Sequence, residues 1–132
     1  MTSLAEKKGF IWFDGEIIKS EDANVHVLTH TLHYGLGVFE GVRAYETSEG
    51  GAIFRLYDHT KRLFDAASKV NITIPYSINE LCDAQKESMS RNNLLEGYIR
   101  PIVFLGSESM GLRSQDSLSV NVAIACWEWP SY

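Results

Sequence analysis

An α+β two-layer domain, a mainly antiparallel sheet with two main helices on one face, is the fold this sequence predicts. Three observations carry that expectation. The apolar pattern runs as strands, then two helices, then strands again. Asp14-Gly15 is a two-residue hairpin signal between Ile11-Trp12-Phe13 and Ile17-Ile18. Val122-Ala123-Ile124-Ala125-Cys126-Trp127 is apolar on both faces, which places it inside the sheet.

Each element has its own signal. Phe10 to Ser20 reads as the hairpin, Glu21 to Ala23 as a polar turn, and Val25 to Leu28 as short and extended. Thr29 to Gly35 is a loop or a single helical turn that ends at the glycine. Val38 to Tyr45 reads as a strand with Phe39, Arg43 and Tyr45 on one face and Gly41 between them. Glu46 to Gly51 turns the chain and Ala52 to Phe54 returns it. Leu63, Ala66, Ala67 and Val70 recur at helical spacing, with Asp58 as the expected N-cap. Ser77-Ile78-Asn79-Glu80 is a capping-box pattern. It opens a second helix with Ile78, Leu81, Cys82, Gln85 and Met89 on one face, closed at Asn92-Asn93. Tyr98 to Leu105 and Ser119 to Trp129 are the last strands.

Composition narrows the class. The 132 residues fit one domain, able to bury roughly two thirds of its unfolded surface. Hydrophobic residues make up 45% and charged residues 22%, a globular balance. The net charge of -5 argues against nucleic acid or an anionic membrane as the main partner. No apolar run reaches transmembrane length, and Met1 to Lys8 is polar, so a cytoplasmic protein is expected. Cys82 and Cys126 lie far apart in apolar patterns and read as buried free thiols.

The densest chemistry lies in His33 to Tyr45, which holds three glycines, four rings counting His33, one arginine and one acid. Glycines admit close approach, and rings with a guanidinium suit a small, anionic, partly apolar ligand. Tyr98 and Arg100 share one side of a strand. Arg100 is either ion-paired, for instance with Glu40, or waits for an outside carboxylate or phosphate. Arg62 on the first helix is either solvated or an anion ligand. His26, His30 and His33 have metal-like spacing but no acid or cysteine near them, so hydrogen-bonded loop histidines are the reading preferred over a metal site. The loop with Met110, Gly111 and Leu112 either leans over a neighbouring site or is a plain crossover. Trp127, Trp129 and Tyr132 either cap the core or meet something outside the domain.

Four motifs taken together resemble the N-terminal domain of a branched-chain amino acid aminotransferase, a fold-type IV enzyme that uses pyridoxal phosphate. They are Ile11-Trp12-Phe13-Asp14-Gly15, then His33-Tyr34-Gly35 with Val38 to Arg43, then His59-Thr60-Lys61-Arg62-Leu63, then Tyr98-Ile99-Arg100-Pro101. The resemblance covers about Phe10 to Tyr132. It implies that Arg62 binds the cofactor phosphate, and that Phe39, Trp129 and Tyr132 line the pocket for an aliphatic side chain. It places Tyr98 near the substrate α-carboxylate, makes Arg100 the receptor for the distal carboxylate of glutamate, and gives Arg43 a supporting role in this wall. Tyr34, Met110 and Leu112 match positions that reach into the other subunit's site in a homodimer or larger oligomer.

The implied reaction is ping-pong amino transfer from leucine, isoleucine or valine to 2-oxoglutarate. The lysine that holds the cofactor, and the glutamate beside its pyridine nitrogen, belong to a C-terminal domain in this family. None of Lys7, Lys8, Lys19, Lys61, Lys69 and Lys86 matches that lysine. The 132 residues are therefore expected to be one half of an active site, inactive alone, binding the cofactor weakly or not at all, and with no catalytic residue of their own. D-amino acid aminotransferase and aminodeoxychorismate lyase share the fold and stand as alternatives, as does a non-catalytic module that binds a ligand or partner.

Overall fold

The computed structural model describes residues 3–112 and 115–129. Among them, seven strands form one antiparallel sheet with three α-helices. The hairpin is β1 (Phe10–Phe13) and β2 (Glu16–Lys19). Asp14 and Gly15 take φ values of 48° and 97°, the paired positive values that a tight two-residue turn needs. Then come α1 (His30–Tyr34), β3 (Gly37–Phe39), β4 (Val42–Thr47) and β5 (Gly50–Ile53). The two long helices, α2 (Leu56–Lys69) and α3 (Ile78–Arg91), lead into β6 (Gly97–Leu105) and β7 (Val120–Trp127). The strand order is β2-β1-β7-β6-β4-β5, with β3 also paired to β6. The doubly apolar β7 is interior, as expected, between β1 and β6.

Strand parity sorts the side chains into two faces. Val42, Ala44, Ile99, Val103, Val122 and Ile124 are buried together with Leu63 of α2 and Leu81 of α3. Alternate residues, among them Phe39, Arg43, Tyr98, Arg100 and Trp127, therefore point to the opposite face. Ser77 and Glu80 form the expected reciprocal cap at the start of α3.

Three local expectations are corrected. The strand expected over Val38 to Tyr45 is interrupted at Glu40-Gly41, although β3 and β4 keep one register on β6: Phe39 faces Ile102 and Val42 faces Ile99. Pro101 is the cause. Glu40 N–H donates to Pro101 O at 3.0 Å, but Pro101 has no N–H to return the bond. Asp58 does not cap α2. Arg55 occupies that place in a left-handed conformation, and its side chain donates to the Asp58 carboxylate from inside the first turn. Val25 to Leu28 pairs with no described strand and closes in a turn, where Thr29 N–H donates to His26 O. Of the cysteines, Cys82 is buried and Cys126 half-buried, both free. Burial pushes the Cys126 thiol up to about 12, so it stays protonated and unreactive at neutral pH. No helix among the described residues is long and apolar enough to cross a membrane.

Candidate functional site

The face of β3, β4, β6 and β7 turned away from α2 and α3 gathers the rings. The centre of the Tyr98 ring lies 5.1 Å from that of Trp127 and 4.7 Å from that of Trp129. Trp127 and Trp129 stack at 6.0 Å. Gly41 makes room for this cluster, because a Cβ there would overlap the Tyr98 hydroxyl. Arg43 donates from Nη2 to the Trp129 carbonyl at 3.0 Å and so braces the end of the ring cluster.

Arg100 sits within this wall. Its guanidinium carbon lies 4.3 Å from the centre of Phe39 and 5.5 Å from that of Tyr98, an arrangement that holds a cation by ring electrostatics. Nη2 donates to the Tyr98 hydroxyl and Nε to the Glu40 carbonyl, both at 3.0 Å. That carbonyl is available because Pro101 cannot donate to it. Arg100 therefore takes the main chain of Glu40 and not its carboxylate. Among the described residues it has no acidic partner.

The Glu40 carboxylate serves Arg62 instead. Arg62 Nε and Nη2 donate to it at 2.5 and 3.0 Å, while His59 Nδ1 lies 3.2 Å from Oε2. Glu40 alternates with Val42 and Ala44, so its side chain faces the interior and is only 5% exposed. Burial alone would lift its carboxyl. The Arg62 hydrogen bond and charge, with His59 and the Gly41 N–H, outweigh burial and hold it below the usual carboxylate range. Arg62 is raised in turn, first by its hydrogen bond to Glu40. A guanidinium has five N–H groups, and Glu40 engages the Nε–Nη2 edge only, so the Nη1 end of this exposed side chain is open to an anion.

A third group lies at α1 and the loop after β6. His30 is buried, stacks on Tyr34 at 4.3 Å, and its Nε2 donates to the Gly111 carbonyl at 3.0 Å. The Tyr34 hydroxyl accepts the Gly111 N–H at 3.1 Å. Tyr34, Met110 and Leu112 are thereby held on one exposed corner. His33 binds the Val27 carbonyl and His26 accepts the Leu28 N–H, so the three imidazoles engage separate backbone groups.

Phe39, Tyr98, Arg100, Arg43 and Trp129 thus come together, Arg62 joins them through Glu40, and Tyr34, Met110 and Leu112 form a separate corner. Tyr132 lies outside the described residues. All six lysines are exposed, and none stands on β3, β4, β6 or β7. Sequence reasoning missed Glu40 as the partner of Arg62 and His59. The available signal was an acid at a strand position whose neighbours by period two are core residues.

Comparison with known proteins identifies the family. The model of the family described as amino-transferase class IV matches residues 37–132. A branched-chain-amino-acid aminotransferase of Pseudomonas aeruginosa is 57% identical over 130 residues, covering 98% of this chain and 42% of that protein. A crystal structure of the branched-chain amino acid aminotransferase of Escherichia coli superposes with a TM-score of 0.91 at 42% identity, over 96% of this chain and 41% of that one. A branched-chain aminotransferase of Thermoproteus uzoniensis with norvaline gives 0.89 at 36% identity, over 96% of this chain and 42% of that one. The chain therefore spans about 42% of the length of the relative it matches at 57% identity. With the family model matching nearly three quarters of its length, this chain belongs to the class IV aminotransferases.

Proposed function

We propose that residues 1–132 act as the substrate-side, N-terminal domain of a pyridoxal-phosphate-dependent branched-chain aminotransferase, in the cytoplasm and as a homodimer or larger oligomer. The observation that carries this reading is Arg100, an arginine with no carboxylate partner among the described residues, seated between rings. That combination suits ligands of two kinds in one place. Phe39 and Trp129 offer an apolar wall to the side chain of leucine, isoleucine or valine. The unengaged end of Arg100 offers charge-assisted bonds to the distal carboxylate of glutamate or 2-oxoglutarate.

Tyr98 lies beside the substrate α-carboxylate in this reading, and Arg43 keeps the ring wall in place. The residues also fit one end of the cofactor: the free edge of Arg62 suits a phosphate. Bound there, pyridoxal phosphate supplies the electron sink for amino transfer. Tyr34, Met110 and Leu112 reach across to the site of a second subunit. The proton between substrate carbon and cofactor needs a desolvated lysine, and all six lysines here are exposed. The test is direct. Pure 132-residue chain, given pyridoxal phosphate, L-leucine and 2-oxoglutarate, is expected to form no glutamate. Sustained turnover by the chain would refute its role as a half-site.

A further inference from the structure

The buried acid at Glu40 needs a reason. A carboxylate facing the core is costly unless it is paired and hydrogen-bonded. Here four donors converge on it: Oε1 takes Arg62 Nε, and Oε2 takes Arg62 Nη2, His59 Nδ1 and the Gly41 N–H. A carboxylate held ionised by these donors is a poor base and is turned inward toward Arg62 and His59. Its main-chain carbonyl is engaged too, by Arg100 Nε.

We propose that Glu40 is a positioning residue that aims the open edge of Arg62 at an incoming phosphate and, through its carbonyl, fixes Arg100 in the same frame. The inference rests on the reading of Arg62 as the phosphate ligand and deepens it. An arginine that extends from a helix into solvent samples many directions, and a side-on, two-bond grip on Nε and Nη2 leaves only one for Nη1. The grip comes from the β3–β4 connection, so the direction is set by the sheet and not by the helix that carries Arg62. Charge and geometry here make opposite forecasts. By charge alone, Glu40 repels phosphate, and removing its charge tightens anion binding. By positioning, removing it weakens binding although the site becomes more positive.

The experiment is an NMR titration of the 132-residue chain with inorganic phosphate, for the unaltered chain, Glu40→Gln, Glu40→Asp and Arg62→Ala, following the backbone amide signals of α2 in all four and the Arg62 Nε–H signal in the three that keep the arginine. Phosphate should move these signals in the unaltered chain, Arg62→Ala should abolish binding, and Glu40→Gln should weaken it about tenfold, with Glu40→Asp between. Unchanged or tighter binding by Glu40→Gln overturns the positioning role and leaves the phosphate reading intact. Failure of the unaltered chain to respond, or a response that survives Arg62→Ala, overturns both. If Glu40→Gln does not fold, acid titration of the unaltered chain replaces it. The groups facing the carboxylate are Arg62 and His59 of α2 and the Gly41 amide. The Arg62 Nε–H should lose its protection in step with the Glu40 carboxyl, and a signal indifferent to that titration contradicts the proposal.

Discussion

Gly41 is the residue on which the ring wall turns. It leaves the space that the Tyr98 hydroxyl fills, and that hydroxyl is where Arg100 Nη2 ends. Gly41→Ala should force the phenol aside, cost about 1–3 kcal/mol as an overpacked site, and free the Arg100 Nη2. Denaturant melts and the Arg100 side-chain NMR signals report both effects. Glu40 makes a second prediction at this scale. Its folded carboxyl titrates below its ordinary value of 4.5, so its ionised form adds stability above that pH. This contribution is lost as pH falls through the folded value. Unfolding free energy of the unaltered chain should therefore drop in acid more steeply than that of Glu40→Gln, and parallel curves would contradict the linkage. The common face of Tyr98 and Arg100 was legible because strand parity depends only on counting residues. The Glu40–Arg62 pair was not, since it depends on where α2 settles against β3, which no local pattern encodes.

At the level of elements, Pro101 determines how β3, β4 and β6 meet. Its missing N–H interrupts the ladder and leaves the Glu40 carbonyl to Arg100. Pro101→Ala should supply the missing donor in register, compete with Arg100 Nε, and raise the mobility of that guanidinium in NMR relaxation. An unchanged Arg100 signal would show that the Tyr98 hydroxyl and the ring contacts hold it without the Glu40 carbonyl. Helix α2 carries Arg62 beside Leu63, which is fully buried. Leu63→Ala should cost about 2–5 kcal/mol in a denaturant melt, as cavity-forming core substitutions do. The hairpin, the two long helices and the interior β7 could all be read from turn residues, capping pairs and apolar runs. The start of α2 could not. Asp58 has the side chain of an N-cap, but Arg55 takes the left-handed conformation that ends the approach to the helix, and the acid becomes its ion-pair partner.

For the whole molecule, α2 and α3 cover one face of the sheet, while the other carries rings, two braced arginines and no lysine. The charged and aromatic content of this second face was visible in the sequence as residues that a plain core strand does not need. Its division of labour came from the resemblance and from no local pattern, because the corner of Tyr34, Met110 and Leu112 forms only when His30 and Tyr34 grip Gly111 from α1. The central claim is that this face selects carboxylate-bearing substrates through Arg100 within a larger aminotransferase. The most direct measurement joins this chain, in place of the matching region, to the remainder of the Pseudomonas aeruginosa relative and follows the two half-reactions separately. The account predicts that the chimera accepts both L-leucine and L-glutamate, and that Arg100→Ala slows the glutamate half-reaction about tenfold or more while sparing leucine. A folded, cofactor-loaded chimera in which Arg100→Ala leaves glutamate untouched, or impairs both donors equally, would contradict it.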